Sequence, residues 1–331
     1  MADEINQDIA IARAVGRLSG RYVLSAFQLL IELYGDIRAG LLAQAVHAAN
    51  TAHVSAATAA GRASADSAGV LPDDARRPIG IARLADTAGL PFETTRRIVQ
   101  RLIDAGICLR LANGVIVPES FVRRPQTLRA VHANLAHVRT FVRDLQAAGL
   151  AEQAPSGLGL SPDGDDDVFA RIVGRLSADY ILRALRLLVD TYGDIRAGIV
   201  AQAIVTANAA HLETEASGSS PRYAGLAENP PDAARRPISV VRLARSLGVP
   251  YETMRAQAHR LLDAGICIRV KGGLIVPAAL LERPAAAEAT LANVGYVRRF
   301  VRDLAGIERP PGRAVPTADL EPPNGELPGP T

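Results

Sequence analysis

The stretch "ETTRRIVQRLIDAGIC" at residues 93–108 returns later in the chain as "ETMRAQAHRLLDAGIC" at residues 252–267. The two stretches agree at their beginning and end and differ in the middle. Their last six residues differ only by the exchange of an isoleucine for a leucine. Similarity this close within one chain indicates that a complete structural unit is duplicated.

The duplication extends over most of the 331 residues. Repeated motifs are "VGRLS" at 15 and 173, "YGDIRAG" at 34 and 192, and "ARRPI" at 75 and 234. We name residues 1–148 the first copy and residues 169–306 the second copy. Residues 149–168 are rich in Gly, Pro and Asp, which predicts a flexible acidic linker. The proline-rich residues 307–331 are predicted to form a disordered tail.

Each copy begins with apolar residues at helical spacing on both sides of a Gly-Asp step. This pattern predicts a helical hairpin or a bent helix, with Asp36 capping the second helix of the first copy. A C-terminal helix is predicted near residues 127–145, with its partner near residues 286–304. The repeated pairs Asn50/His53 and Asn208/His211 lie three residues apart, and we interpret them as hydrogen-bonded packing pairs rather than ligand sites.

The middle of each copy, at residues 76–118 and 235–277, contains a helix, a Gly-containing turn, a second helix and a hairpin. Asn113–Gly114 and Gly272–Gly273 are predicted as the two-residue turns of the hairpins, because such turns require positive φ. Together with the flanking helices, this order predicts a mainly α fold with small β-hairpins.

The pattern "I..LA...GLP.ET.RR....L..AGIC.R...G.IVP" resembles the winged helix-turn-helix domain of bacterial transcription regulators of the IclR, GntR and MarR groups. The resemblance covers residues 76–118 and 235–277. It implies a winged helix-turn-helix in each copy, whereas the flanking helices resemble no known family. With those helices the predicted fold is two tandem copies of a helical hairpin, a winged helix-turn-helix and a C-terminal helix. The resemblance also implies binding of double-stranded DNA, with residues 91–105 and 250–264 as recognition helices in the major groove and the hairpins on the flanking backbone.

The periodicity of the first recognition helix divides it into two faces. Thr95, Val99 and Leu102 share one face, which we expect to pack against the domain. The opposite face carries side chains that hydrogen-bond to base edges or phosphates. The predicted DNA-contacting residues are Glu93, Thr94, Arg96, Arg97, Gln100, Arg101 and Asn113 in the first copy, and Glu252, Thr253, Arg255, His259, Arg260 and Lys271 in the second.

The charge distribution favours the same interpretation. Residues 76–124 contain nine arginines and four acidic residues, and residues 235–283 contain nine basic and three acidic residues. These segments carry net charges of +5 and +6, while the whole chain carries only +3. Positive charge concentrated in this way is typical of proteins that bind phosphates.

The two recognition helices differ at the positions that we expect to contact bases. Arg97 is replaced by Ala256, Gln100 by His259 and Ile98 by Gln257 in the second copy. The sequence therefore predicts two related but non-identical half-sites, read by one chain that acts as an intramolecular pseudo-dimer. The extra helices are predicted to pack the copies together or to form a further homodimer through the N-terminal helices.

Two alternative functions remain open from the sequence. One is a plasmid or chromosome replication or partition protein, because plasmid replication initiators also resemble tandem winged helices. The other is a protein-interaction module, a role that tandem winged helices have in condensin accessory subunits. An enzyme is not expected, because the chain has no Gly-rich phosphate loop, no metal-ligand spacing and no nucleophile motif. We expect neither a cofactor nor a bound metal. A small-molecule site, if the protein has one, is expected among the helices that contain "YGDIRAG" and "AN..H".

The remaining composition predicts a cytoplasmic, nucleoid-associated protein without membrane contact. The N-terminus is polar and acidic, and no uninterrupted apolar run approaches about 18 residues. Cys108 and Cys267 are the only cysteines and occupy the same place in the two copies. We interpret them as packing positions in a reducing compartment rather than as a disulfide or a redox sensor.

Overall fold

The computed structural model describes residues 2–54, 69–150, 167–214 and 229–307. Within these residues the chain is mainly helical, with twelve α-helices and two small antiparallel hairpins, as the sequence predicts. None of the described helices is both long and apolar enough to span a membrane. Residues 151–166 of the predicted linker and residues 308–331 of the predicted tail lie outside the described residues.

The first copy contains the helices α1 (Ala2–Tyr34), α2 (Ile37–Thr51), α3 (Ile81–Ala88), α4 (Phe92–Asp104), α5 (Glu119–Val122) and α6 (Pro125–Ala147), and the strands β1 (Leu109–Leu111) and β2 (Gly114–Ile116). The second copy contains α7 (Asp167–Tyr192), α8 (Ile195–Thr214), α9 (Val240–Ser246), α10 (Tyr251–Asp263), α11 (Ala278–Leu281) and α12 (Pro284–Ala305), with β3 (Ile268–Val270) and β4 (Gly273–Ile275).

The repeated motif "YGDIRAG" makes the turn from α1 to α2. Gly35 has a φ of +74°, a conformation that glycine adopts without strain. The Asp36 carboxylate accepts a 2.7 Å hydrogen bond from the backbone N–H of Arg38, which confirms the predicted cap. A Cβ atom on Gly40 would lie 3.0 Å from Leu30 Cβ, so this glycine lets α2 pass close to α1.

Asn50 connects α2 to the hairpin of the first copy. Its Nδ2 donates to the carbonyl oxygens of Arg77 (2.8 Å) and Val115 (3.2 Å), and its Oδ1 accepts from the N–H of Val117 (2.9 Å). Asn208 makes the corresponding three contacts in the second copy, at 2.9, 3.1 and 3.1 Å. Both asparagines are completely buried, and the two hydrogen bonds that each makes to the hairpin satisfy backbone groups shielded from water.

The histidine of each predicted pair does not take part in these contacts. His53 is exposed and lies beyond the last residue of α2. The packing interpretation is therefore confirmed for the two asparagines, and the pairing of Asn50 with His53 is wrong.

The hairpin turn of the first copy lies one residue earlier than predicted. Leu111 pairs with Gly114, so the turn residues are Ala112 and Asn113 rather than Asn113 and Gly114. Asn113 does not have a positive φ. Gly114 begins β2, and a Cβ atom there would lie 2.6 Å from the carbonyl oxygen of Ile79. The glycine is thus required by the close approach of two backbones rather than by the turn.

The second hairpin needs the same correction. Val270 pairs with Gly273, so the turn consists of Lys271 and Gly272. A Cβ atom on Gly273 would collide with the carbonyl oxygen of Ile238. In both hairpins an isolated bridge adds a third short extended segment, because Ile79 pairs with Val115 and Ile238 pairs with the corresponding leucine of β4.

Four aromatic rings pack together where the two copies meet. The ring of Tyr22 stacks on Phe141 at a centroid distance of 5.1 Å, and that of Tyr180 stacks on Phe300 at 5.3 Å. The two tyrosine rings are 6.0 Å apart. Because Tyr22 comes from α1 and Tyr180 from α7, the stack joins the copies through their first helices.

Hydrogen bonds complete this aromatic cluster. The hydroxyls of Tyr22 and Ser177 lie 2.5 Å apart, and Tyr180 donates to Asn293 Oδ1 at 3.2 Å. Asn293 in turn donates to Ser19 Oγ at 2.8 Å. Burial raises the pKa of both tyrosines, so their hydroxyls stay protonated and available as donors.

The N-terminal helices thus pack the copies together, which is one of the two predicted roles. The apolar face of α1 is covered by α6 and α12 of the same chain. Its buried residues include Val15, Leu18 and Phe27. A homodimer would have to use another surface of these helices, and it stays a prediction.

Replacing Asn50 with alanine is expected to destabilise the protein by about 2–4 kcal/mol, because two carbonyl groups and one N–H group would lose their buried partner. The exposed neighbour His53 provides the control, since His53→Ala should change the free energy of unfolding by less than about 0.5 kcal/mol. Urea unfolding measures both values. Equal destabilisation by the two substitutions would contradict the assigned role of Asn50.

Candidate functional site

Helix α4 is fixed to the protein by one face. Thr95 and Val99 are completely buried and Leu102 is 3% exposed, as predicted from the periodicity. This face packs on α2 and α3. The matching face of α10 consists of Met254, Ala258 and Leu261, each 1% exposed. In both copies the opposite face of the helix is therefore directed away from the core.

The structure places every predicted contact residue at the surface of α4, α10 or a hairpin tip. Only Thr94 is partly covered. The exposed residues are Glu93, Arg96, Arg97, Gln100, Arg101 and Asn113 in the first copy and Glu252, Thr253, Arg255, His259, Arg260 and Lys271 in the second.

Some of these side chains contact one another. Arg96 Nε lies 3.0 Å from the Glu93 carboxylate, and Arg255 lies 2.9 Å from Glu252 in the same arrangement. Gln100 Nε2 donates to the Asp104 carboxylate at 2.8 Å. Exposed pairs of this kind contribute only about 0–1 kcal/mol, so a ligand with negative charge can replace them.

Two arginines of α4 make no such pair. Within the part of the chain that the structure describes, Arg97 and Arg101 have neither a hydrogen bond nor an ion pair through their guanidinium groups. Together with Arg96 they line a shallow depression, and Arg38 from α2 lies on the same rim. The three arginines of α4 and Arg38 form a cationic surface that we call the α4 basic face.

Sequence reasoning missed Arg38. The motif "DIRAG" is identical in both copies, so it gives no sign that its arginines differ in position. In the second copy the equivalent Arg196 instead binds Asp36 of the first copy at 3.2 Å. Only the packing of one copy on the other separates the two roles.

The exchange of Ile98 for Gln257 does not belong to the exposed face. Ile98 is 3% exposed and Gln257 is 6% exposed. Both residues are buried because two helices pack on each of these helices, α2 and α3 on α4, and α8 and α9 on α10. Two neighbouring helices cover a wider face than one helix would. This predicted difference in base contacts is therefore wrong, whereas Arg97/Ala256 and Gln100/His259 do differ at the surface.

Some arginines of the two basic segments are buried or bonded to other protein groups and add little positive charge to the surface. The side chains of Arg76 and Arg235 are 1% exposed and lie 3.2 and 3.4 Å from Asp73 and Asp232. Arg124 donates to the carbonyl oxygen of Gly106 at 2.8 Å. The charge available at the surface is therefore smaller than the segment totals of +5 and +6 indicate.

Apolar side chains also reach the surface beside these helices. Phe92 and Tyr251, the first residues of α4 and α10, are 49% and 46% exposed. Leu109 and Leu111 are exposed on β1, which is the edge strand of its hairpin.

The two cysteines are packing residues, as predicted. Both are free and buried, and burial raises the pKa of the Cys108 thiol to about 12 and that of Cys267 to about 11. A raised pKa disfavours the reactive thiolate. Among the described residues, no three His, Cys, Asp or Glu side chains come together as a metal site requires.

Comparison of the chain with protein-family models, with curated proteins and with solved structures gave no match.

Proposed function

We propose that the protein binds double-stranded DNA in a sequence-specific way and acts as a bacterial transcription regulator. In this proposal α4 and α10 are the recognition helices of two winged helix-turn-helix units. The observation that carries it is the α4 basic face: the helix is fixed by Thr95, Val99 and Leu102 while its arginines stay outside. A helix held by one face and basic on the other is suited to the major groove.

The residues of the basic face have distinct expected roles. Arg97 and Arg101 can donate two parallel hydrogen bonds to a guanine edge or bind a phosphate as cations. Glu93 accepts hydrogen bonds and is suited to the amino group of cytosine once Arg96 turns to a phosphate. Arg38 approaches from α2 and is suited to a backbone phosphate at the edge of the groove.

The second recognition helix presents a less basic surface. At its exposed positions His259 replaces Gln100 and Ala256 replaces Arg97, while Arg260 retains the cation of Arg101. We propose that the retained residues hold the DNA backbone or a common base and that the exchanged residues select different bases. The aromatic cluster joins the copies, so one chain supplies both helices as a pseudo-dimer.

The exposed apolar residues of β1 favour a second candidate function, a protein-interaction module. Edge strands with uncovered Leu109 and Leu111 side chains can pair with a strand of another protein. Such binding would not require the α4 basic face. A DNA affinity that falls steeply with salt favours the first candidate, because each phosphate contact releases counterions condensed on the DNA.

For DNA binding, we expect the logarithm of the association constant to fall linearly with the logarithm of salt concentration, by about 0.9 for each phosphate contact. Arg97→Ala combined with Arg101→Ala should reduce the magnitude of this slope by about 1–2. Arg143→Ala, which removes an exposed arginine from α6, should leave the slope unchanged. Fluorescence anisotropy with labelled duplexes measures the slopes, and a salt-independent or undetectable interaction at low salt would contradict DNA binding.

We further expect in-vitro selection from random duplexes to yield two unequal half-sites for the unmodified protein. Arg97→Ala together with Gln100→His gives α4 the same residues as α10 at both positions. The sites selected by this double variant should therefore become more symmetrical. A palindromic site for the unmodified protein would refute the assigned difference between the two helices.

A further inference from the structure

A cavity of about 130 Å³ lies where α7 of the second copy meets the first copy. Helices α1, α2, α6 and α7 provide most of its wall, and the wall is largely apolar. The apolar side chains that line it include Leu30, Leu33, Phe121, Ile181 and Leu182. A cavity of about 150 Å³ accommodates one benzene ring, so this one suits an apolar group of similar or slightly smaller size.

Two arginines enter this cavity while anchored to backbone carbonyl groups. Arg76 donates to the carbonyl oxygen of Leu71 at 2.6 Å, and its Nε lies 3.2 Å from Asp73. Arg171 donates to the carbonyl oxygen of Val122 at 3.0 Å. The side chain of Arg76 is only 1% exposed. Its Nη1 is buried and has no hydrogen-bond partner in the described part of the chain.

A third arginine comes from the next turn of α7. Arg175 is half-buried, and its Nε is buried without a hydrogen-bond partner among the described residues. Burial and the nearby charges of Arg76 and Arg171 lower the pKa of Arg175 to about 10. The group therefore remains a cation at neutral pH, at an electrostatic cost.

His47 faces these arginines from α2. Burial and the three guanidinium groups lower its pKa to about 3, so it is neutral at physiological pH. Its Nδ1 is buried and, within the described residues, has no hydrogen-bond partner. No acidic residue is among the described residues that line the cavity. The cavity thus gathers three cations and a neutral imidazole around an apolar space.

The second copy offers an internal comparison. A cavity of about 320 Å³ occupies the corresponding place and is lined by Arg13 and Arg17, the counterparts of Arg171 and Arg175. Glu282 also lines this second cavity, and Val205 stands where the first copy has His47. An acidic side chain therefore lines the second cavity, whereas none lines the first, although Asp73 pairs with Arg76 beside it.

We propose that the first cavity, which we call the arginine cavity, binds a small amphiphilic carboxylate. Its carboxylate would lie against Arg76 and Arg175, and its apolar body, about the size of one six-membered ring, would fill the space between α1 and α7. Among the described residues Arg175 has no acidic partner, and Arg76, although paired with Asp73, keeps its buried Nη1 without a hydrogen bond. An anion that hydrogen-bonds to both groups offsets the cost of burying them. The proposal concerns a site separate from α4 and α10 and does not depend on DNA binding.

The experiment uses the full chain and three probes of known chemistry. Cyclohexanecarboxylate should bind with measurable heat in titration calorimetry and raise the melting temperature. Cyclohexylmethanol, which has the same ring without the charge, should bind at least about 10-fold more weakly, since charged hydrogen bonds are the stronger ones. Equal affinity of the alcohol would overturn the role of the arginines, and equal affinity of inorganic phosphate would overturn the role of the apolar wall.

Matched variants locate the site. Arg175→Gln should weaken cyclohexanecarboxylate binding about 10- to 100-fold, because it removes a charge-assisted contact. Arg17→Gln, the equivalent change in the second cavity, should leave the affinity within about 2-fold of the unmodified protein. The opposite result would assign the ligand to the second cavity and overturn the proposal.

A second pair of variants fills the space instead of removing charge. Ala130 lines the arginine cavity and Ala289 lines the other cavity at the equivalent position of α12. Ala130→Leu should abolish binding while Ala289→Leu should not. Because both variants retain every arginine, binding that survives Ala130→Leu would contradict the assigned site even if Arg175→Gln failed to fold.

Discussion

The stack of Tyr22 and Tyr180 with Phe141 and Phe300 is the interaction on which the rest of the structure depends. Each tyrosine contacts a phenylalanine at about the distance typical of favourable aromatic pairs. The rings come from the first and last helices of the two copies. Within each copy a tyrosine of the first helix stacks on a phenylalanine of the last helix, and the stacking of the two tyrosines joins one copy to the other. No other described cluster combines aromatic rings from both copies in this way.

A short series of contacts leads from this cluster to the surface. Gly40 lets α2 lie close to α1, and Asn50 at the end of α2 holds the backbone of the hairpin. Helix α4 packs directly on α2, so its exposed face is positioned relative to the aromatic cluster through only two helix contacts. The arginine cavity lies beside the same path, between α1, α2 and α7.

The sequence predicted features that depend on local spacing. The cap at Asp36, the buried face of α4 and the packing positions of both cysteines follow from residue type and helical period. The hairpin turn was misplaced by one residue because Gly114 serves a contact with Ile79, which is distant in the sequence. The buried position of Ile98 was missed for a similar reason, since the width of a buried stripe depends on how many helices cover it.

The features that could not be predicted depend on how the copies pack. Arg38 and Arg196 are identical in local sequence, yet one lies beside α4 and the other binds Asp36. The arginine cavity takes Arg171 and Arg175 from one copy and Arg76 from the other, so no single repeat contains it. Counting arginines along the sequence also assigned Arg76 to a surface charge, although its side chain is buried.

The aromatic cluster should hold the exposed faces of α4 and α10 at one fixed separation within a single chain. Spin labels attached at Gln100→Cys and His259→Cys measure this separation by double electron–electron resonance in the free protein, with the buried native cysteines left in place. We predict one narrow distance distribution, which broadens when Tyr22→Ala and Tyr180→Ala are introduced together. A broad distribution with the tyrosines intact would show that the cluster does not fix this separation.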